Sequence, residues 1–140
     1  MQVGNLLLEE PSPNDVHFLE DRLYEFNQAA TGIDDGQALG VFVRDELGNI
    51  VAAAAGHTWG GTCELRQVWV AEAQRRAGLG GRLVAAAEAE ATRRGCSQLV
   101  LMTHSFQAPD FYRKLGFEVV SELPDYPRGH AHLVLRKRLL

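Results

Sequence analysis

Hydrophobic positions along the chain change their period several times, and each change marks an element. Leu6-Leu7-Leu8 reads as a short first strand, ended by Pro11-Ser12-Pro13. Val16, Leu19, Leu23 and Phe26 then recur at three- and four-residue spacing, predicting a helix capped by Asn14 or Asp15 and running to about Asn27. A polar, glycine-bounded loop leads to strands over residues 39–44 and 50–58, joined as a hairpin by Glu46-Leu47-Gly48-Asn49. The four alanines from Ala52 to Ala55 favour helix on propensity alone, but the hairpin turn before them and Gly56 after them leave too little room for one. Residues 63–70 form the fourth strand. Residues 76–94 form a long helix with Leu79, Leu83, Val84, Ala87 and Ala91 as its buried stripe and Gly95 at its C′ position. Residues 98–103 are nearly all apolar, as in a central strand covered on both faces. A short helix over 110–115 and two strands, 117–122 and 131–137, complete the pattern.

This order predicts a single α/β domain over residues 1–140, with a mixed, mostly antiparallel sheet of six to seven strands flanked by helices. The fourth and fifth strands are expected to run parallel through a right-handed crossover. Hydrophobic content of 46% and charged content of 23% fit an ordinary globular protein. The N-terminus has no secretory leader pattern, no apolar run is long enough to span a bilayer, and the two cysteines, Cys63 and Cys96, form no metal-ligand spacing. These features predict a cytoplasmic protein with reduced core thiols and no membrane association. A net charge of −4 argues against bulk nucleic-acid binding. Arg75, Arg76, Arg82, Arg93 and Arg94 nevertheless make one stretch locally basic.

That stretch carries the candidate chemistry. An apolar strand passes through Arg75-Arg76-Ala77-Gly78-Leu79-Gly80-Gly81-Arg82 straight into a helix. The first N–H groups of a helix have no intrahelical partner and sit at the positive end of its dipole, so they attract anions. Alternate glycines are expected to let a phosphate approach those amides. A P-loop would require a lysine after Gly80, and a dinucleotide fold would require Gly-x-Gly-x-x-Gly near a first strand; neither is present.

The hexapeptide from Arg75 to Gly80, with Val68-Trp69-Val70 before it, resembles the acetyl-CoA signature of the GNAT superfamily of N-acetyltransferases. Phe111-Tyr112-Arg113-Lys114-Leu115-Gly116-Phe117 resembles that family's second motif, and the strand order fits over almost the whole chain. The resemblance implies the acyl-CoA N-acyltransferase fold, with a V-shaped opening between the fourth and fifth strands. It implies acetyl-CoA as co-substrate; no metal is expected, because His130 and His132 have no third ligand in the sequence pattern. The residues it assigns to acetyl-CoA are Val68, Trp69, Val70, Arg75, Arg76, Ala77, Gly78, Leu79, Gly80, Gly81, Arg82, Ser105 and Tyr112. Pantetheine would pair with main chain near Val68 and Val70 like an added strand, and the Val70 N–H would meet the oxyanion. Ser105 departs from the family, where many members carry asparagine seven residues before the motif tyrosine.

The resemblance makes Tyr112 the general acid, because a phenol stays protonated at neutral pH and can supply a departing thiolate. Packing with Phe111 and Phe117 is its alternative role. Glu64, eleven residues before Arg75, resembles in its spacing the glutamate base of some family members, and the resemblance makes it the candidate base; an ion pair with Arg66 is the competing reading. Period-two counting puts Glu64, Arg66, Val68 and Val70 on one face. His104, just past the fifth strand, is a rival base. His130 and His132 are expected on one strand face. Tyr24, Asp34, Asp35 and Trp59 are candidates for the acceptor side, where acidic residues suit a cationic amine. The reading is direct acetyl transfer to a primary amine of a small molecule or peptide, with an acyl-CoA-binding sensor or scaffold as its rival. Exposed strand edges leave a homodimer open.

Overall fold

The structure, a computed structural model, describes residues 2–139, with side chains from residue 4 onward. The chain divides into two compact units, Met1–Asp34 and Asp35–Leu140. In the first, β1 (Gln2–Val3) and β2 (Leu6–Leu7) pair antiparallel as a two-stranded ribbon. The predicted first strand therefore finds its partner beside it in the chain and belongs to a sheet of its own. Helix α1 (Pro13–Thr31) is capped by Ser12, not by Asn14 or Asp15. The Asp15 N–H donates to Ser12 Oγ at 3.1 Å and the Ser12 N–H donates to Asp15 Oδ2 at 2.8 Å, a reciprocal capping box. The helix runs past the expected Asn27 because its stop is Gly32, in the left-handed region at φ 72°.

The second unit is built on β3 (Gln37–Arg44), β4 (Ile50–Trp59), β5 (Thr62–Val70), β6 (Gln98–His104), β7 (Glu118–Pro124) and β8 (Ala131–Arg138). They form a six-stranded sheet in the order β3-β4-β5-β6-β8-β7, in which only β5 and β6 pair in parallel. Between them lie α2 (Leu79–Arg93) and, after β6, α3 (Pro109–Lys114). The expected mixed, mostly antiparallel α/β architecture is present.

Helix α2 packs on β3, β4 and β5. Its buried stripe of Leu83, Val84, Ala87 and Ala91 meets a sheet face whose Ala52, Ala54 and Cys63 are fully buried. Small residues on both sides let helix and sheet approach closely, which explains alanines in a strand despite their helical propensity. The end of α2 is pinned by Arg94, whose guanidinium donates to Ala38 O at 3.1 Å and Thr58 Oγ1 at 3.0 Å while holding Glu90 at 2.7 Å. Cys63 and Cys96 are both free and buried, and burial pushes the Cys63 thiol up to about 11. Among the described residues no helix is long and apolar enough to cross a membrane.

Candidate active site

Parallel pairing of β5 with β6 runs from Thr62 opposite Gln98 to Leu65 opposite Leu101 and stops there. Past that point the two strands border a cavity of about 380 Å³, lined by residues 65–69, 101–103 and by Gln107, Ala108 and Tyr112. A β-bulge opens it. Ala55 faces Gln67 and Gly56 faces Leu65, so Arg66 is the extra residue that bends β5. Gly56 is required opposite the bulge, because a Cβ there would lie 1.9 Å from the Glu64 carbonyl oxygen.

The ladder beyond the bulge determines where the main chain of β5 points. The Ala71 N–H donates to Val51 O at 2.8 Å, which makes Ala52–Val70 a pair without mutual hydrogen bonds. Ala54–Val68, two residues away, is in the same phase. The N–H and C=O groups of Val68 and Val70 therefore turn away from β4, into the splay. One of these four groups is engaged, since Arg75 Nε donates to Val70 O at 3.0 Å. The bulge also changes the side-chain faces. Val68 and Val70 pack on the same core as buried Cys63 and Leu65, so Glu64 does not share their face as strict alternation predicts.

The turn after β5 differs from the expected continuous helix. A 3₁₀ turn (Glu72–Gln74) comes first, Arg76 lies in the left-handed region at φ 68°, and α2 begins only at Leu79 because Gly78, at φ 78°, is its N-cap. Gly78 supplies no side chain, so the amides of Leu79, Gly80 and Gly81 have no capping acceptor, and the first turn holds no acidic residue. Arg75, Arg76, Ala77 and Arg82 complete the segment. Space beside Gly78 is open and its conformation is what demands glycine, whereas a Cβ on Gly80 would meet Phe111 at 3.0 Å. The Gly80 position leaves room for the Phe111 ring of α3, and so joins the two motifs physically.

Tyr112 is 8% exposed, with its ring edge-on to Phe111 at 5.0 Å and Phe117 at 5.7 Å, yet it lines the cavity. Burial raises its pKa above the ordinary phenol value. Glu64 accepts from Arg66 Nε at 2.9 Å and stands on the paired part of β5, outside the cavity lining. Ser105 Oγ accepts the Ala131 N–H at 2.9 Å, and the Ser105 N–H donates to Ala131 O at 2.8 Å, extending the β8 pairing. His104 Nδ1 lies 3.0 Å from Tyr126 O, an atom that only accepts, so Nδ1 carries a hydrogen, and in the neutral ring the lone pair is at Nε2. Its ring stacks on Phe106 at 5.4 Å and meets His132 at 5.3 Å. His130 precedes β8 instead of sharing a strand face with His132; its ring partner is Phe106. The Asp35 carboxylate is committed to the Gly60 N–H at 2.9 Å, and Trp59 ends β4. Tyr24 and Asp34 lie in the first unit. Sequence reasoning missed Gln107 and Thr103, which line the cavity; a polar side chain in the turn after a central strand was the available signal.

A family model, the Acetyltransferase (GNAT) family, matches residues 3–117. A blasticidin-S acetyltransferase from Streptomyces morookaense is 37% identical over 94 residues, 66% of this chain and 69% of that one. Among solved structures, an acetyltransferase from Bacillus cereus is 26% identical with a TM-score of 0.78, covering 96% of this chain and 98% of its own. An aminoglycoside 6'-N-acetyltransferase complexed with coenzyme A shares the fold at 18% identity, with a TM-score of 0.67 over 96% and 98% of the two chains. With a cleft of this form, two motifs packed together beside it and a family match over most of its length, the chain belongs to the GNAT acetyltransferase family.

Proposed function

We propose that this protein is an acetyl-CoA-dependent N-acetyltransferase acting on a primary amine by direct attack within a ternary complex. The observation that carries the reading is the main chain of Val68 together with the Val70 N–H, which turn away from β4 beside a cleft bordered by Tyr112. The uncapped amides of Leu79, Gly80 and Gly81, with the cations of Arg75, Arg76 and Arg82, suit a pyrophosphate. Val68 offers an N–H and a C=O to an amide-bearing arm, and the Val70 N–H is left for a thioester oxygen that gains charge. The fold-mate complexed with coenzyme A supports this donor. Acetyl-CoA supplies an acyl group activated by a thiol leaving group.

Nitrogen bonds to the acyl carbon, the carbon–sulfur bond breaks, and the ammonium proton must leave as the sulfur gains charge. Tyr112 donates a hydrogen bond to that sulfur. Its raised pKa keeps the phenol protonated at neutral pH, and full transfer to a more acidic thiol is uphill, so it stabilises the thiolate by hydrogen bonding. The ammonium proton has two routes. Glu64, paired with Arg66 outside the cavity, takes it through water; His104 accepts it at Nε2. Buried Cys63 and Cys96 serve no covalent step. The blasticidin-S acetyltransferase relative favours a small-molecule acceptor.

The test is thiol release from acetyl-CoA with a panel of amines. Tyr112→Phe is expected to lower kcat about 100-fold with CoA affinity nearly unchanged. An unchanged kcat removes Tyr112 from the chemistry, and tight CoA binding without turnover on amines, peptides or proteins makes the protein a sensor module instead.

A further inference from the structure

The cleft wall facing β5 holds a side chain that neither motif includes. Gln107 follows β6 by three residues and lines the cavity together with Thr103, Ala108 and Tyr112. Its Oε1 accepts two hydrogen bonds, from the His104 N–H at 2.6 Å and from Thr103 Oγ1 at 3.0 Å. The Gln107 N–H donates in turn to His104 O at 2.9 Å, so main chain and side chain both hold the residue in this turn.

These bonds fix which way the carboxamide faces. A backbone N–H is a donor only, so the atom 2.6 Å from the His104 nitrogen must be the amide oxygen. Thr103 is 5% exposed, and its hydroxyl finds its acceptor in the same oxygen. Turning the amide over would bring its N–H against the His104 N–H and lose that hydrogen bond, a cost the Thr103 hydroxyl, which can also accept, does not add to. The two Nε2 hydrogens are thus presented on the other side of the carboxamide as preoriented donors. Nearby, the Ser105 hydroxyl oxygen accepts from the Ala131 N–H, so it is engaged with β8.

We infer that Gln107 binds the acyl-carrier arm directly, its Nε2 donating to a carbonyl oxygen on the edge of that arm away from β5. The inference rests on the acetyl-CoA reading above and adds a second wall to it. Val68 and Val70 grip one edge through main chain, and Gln107 meets the other through a side chain whose orientation is set by Thr103 and His104. A carbonyl oxygen is the ligand chemistry that fits, because Nε2 can only donate.

The test is calorimetric titration of Gln107→Glu with acetyl-CoA and, separately, with adenosine 3′,5′-bisphosphate, which has the nucleotide end without the arm. Glutamate keeps an oxygen for Thr103 and His104 but turns the cleft-facing donor into an acceptor. Acetyl-CoA affinity is expected to fall about tenfold or more while the bisphosphate affinity stays the same. Thr103→Val, which loosens the carboxamide without altering charge, is expected to weaken acetyl-CoA alone by a few-fold. Equal loss for both ligands, or no loss for acetyl-CoA, overturns the inference. If the wild-type protein binds neither ligand, the acetyl-CoA reading itself is what fails.

Discussion

Replacing Gly56 with alanine tests the geometry that opens the cleft. The added Cβ would sit 1.9 Å from Glu64 O and 2.9 Å from both Glu64 C and Leu65 Cα, all of them main-chain atoms that no rotamer change can move. A carbon and a carbonyl oxygen approach to about 3.3 Å at closest, so β4 and β5 must separate there by more than an ångström. Opening the ladder loses one or two hydrogen bonds at about 1 kcal/mol each and adds overpacking strain of similar size, about 3 kcal/mol in all. For a chain of this length that lowers the melting temperature by roughly 10 °C. Gly40→Ala on neighbouring β3 is the control. Its Cβ would meet only the end of the Phe42 ring at 2.6 Å, and that ring is 49% exposed and free to swing aside. Thermal unfolding by circular dichroism should therefore show a large loss for Gly56→Ala and almost none for Gly40→Ala. Equal shifts in the two variants would refute the close approach and leave only a general effect of glycine in strands. A shift below about 2 °C in Gly56→Ala would refute it as well.

Arg76→Gly removes a left-handed arginine and a cation together, so the melting temperature should hold or rise by the equivalent of about 1 kcal/mol while CoA affinity falls. The opposite signs are read by calorimetry and thermal melts on the same samples. Arg93 and Arg94 hold the Glu90 carboxyl down to about 2. Its contribution to stability is therefore complete above the ordinary glutamate range and lost as pH falls toward 2, so melting temperatures of wild type and Glu90→Gln should converge between pH 4.5 and 2. Cys63, pushed up to about 11 by burial, should resist a disulfide reagent at pH 8 in the native protein, and both thiols should react once guanidinium unfolds it.

Most of the framework was legible because the elements carry their own periodicity. The alternating β3 and β5, the apolar β6 and the stripe of α2 all follow from local sequence, and the two motifs locate the turn and Tyr112. Features set by contacts far apart in the chain were not legible. Arg66 reads as an ordinary strand residue, and only pairing with β4 reveals it as the bulge that separates Glu64 from the face of Val68 and Val70. The function of Gly80 depends on Phe111, which no inspection of the glycine turn discloses. Arg76 shows why the helix starts late: apolar periodicity cannot register a left-handed residue. The placement of Gln107 rests on local hydrogen bonds to a buried threonine and a strand-end amide, which hydrophobic periodicity does not register either.

The closeness of Phe111 to Gly80, where an added Cβ would lie 3.0 Å from the ring, has a bearing on how such proteins diverge. A side chain gained at position 80 requires the ring at position 111 to shift or give up bulk, so the two motifs are expected to drift in step. A chimaera that takes its turn from one homologue and its aromatic helix from another would inherit a mismatch at this seam, even with every ligand-facing residue intact. Transplanting the pair together should preserve both.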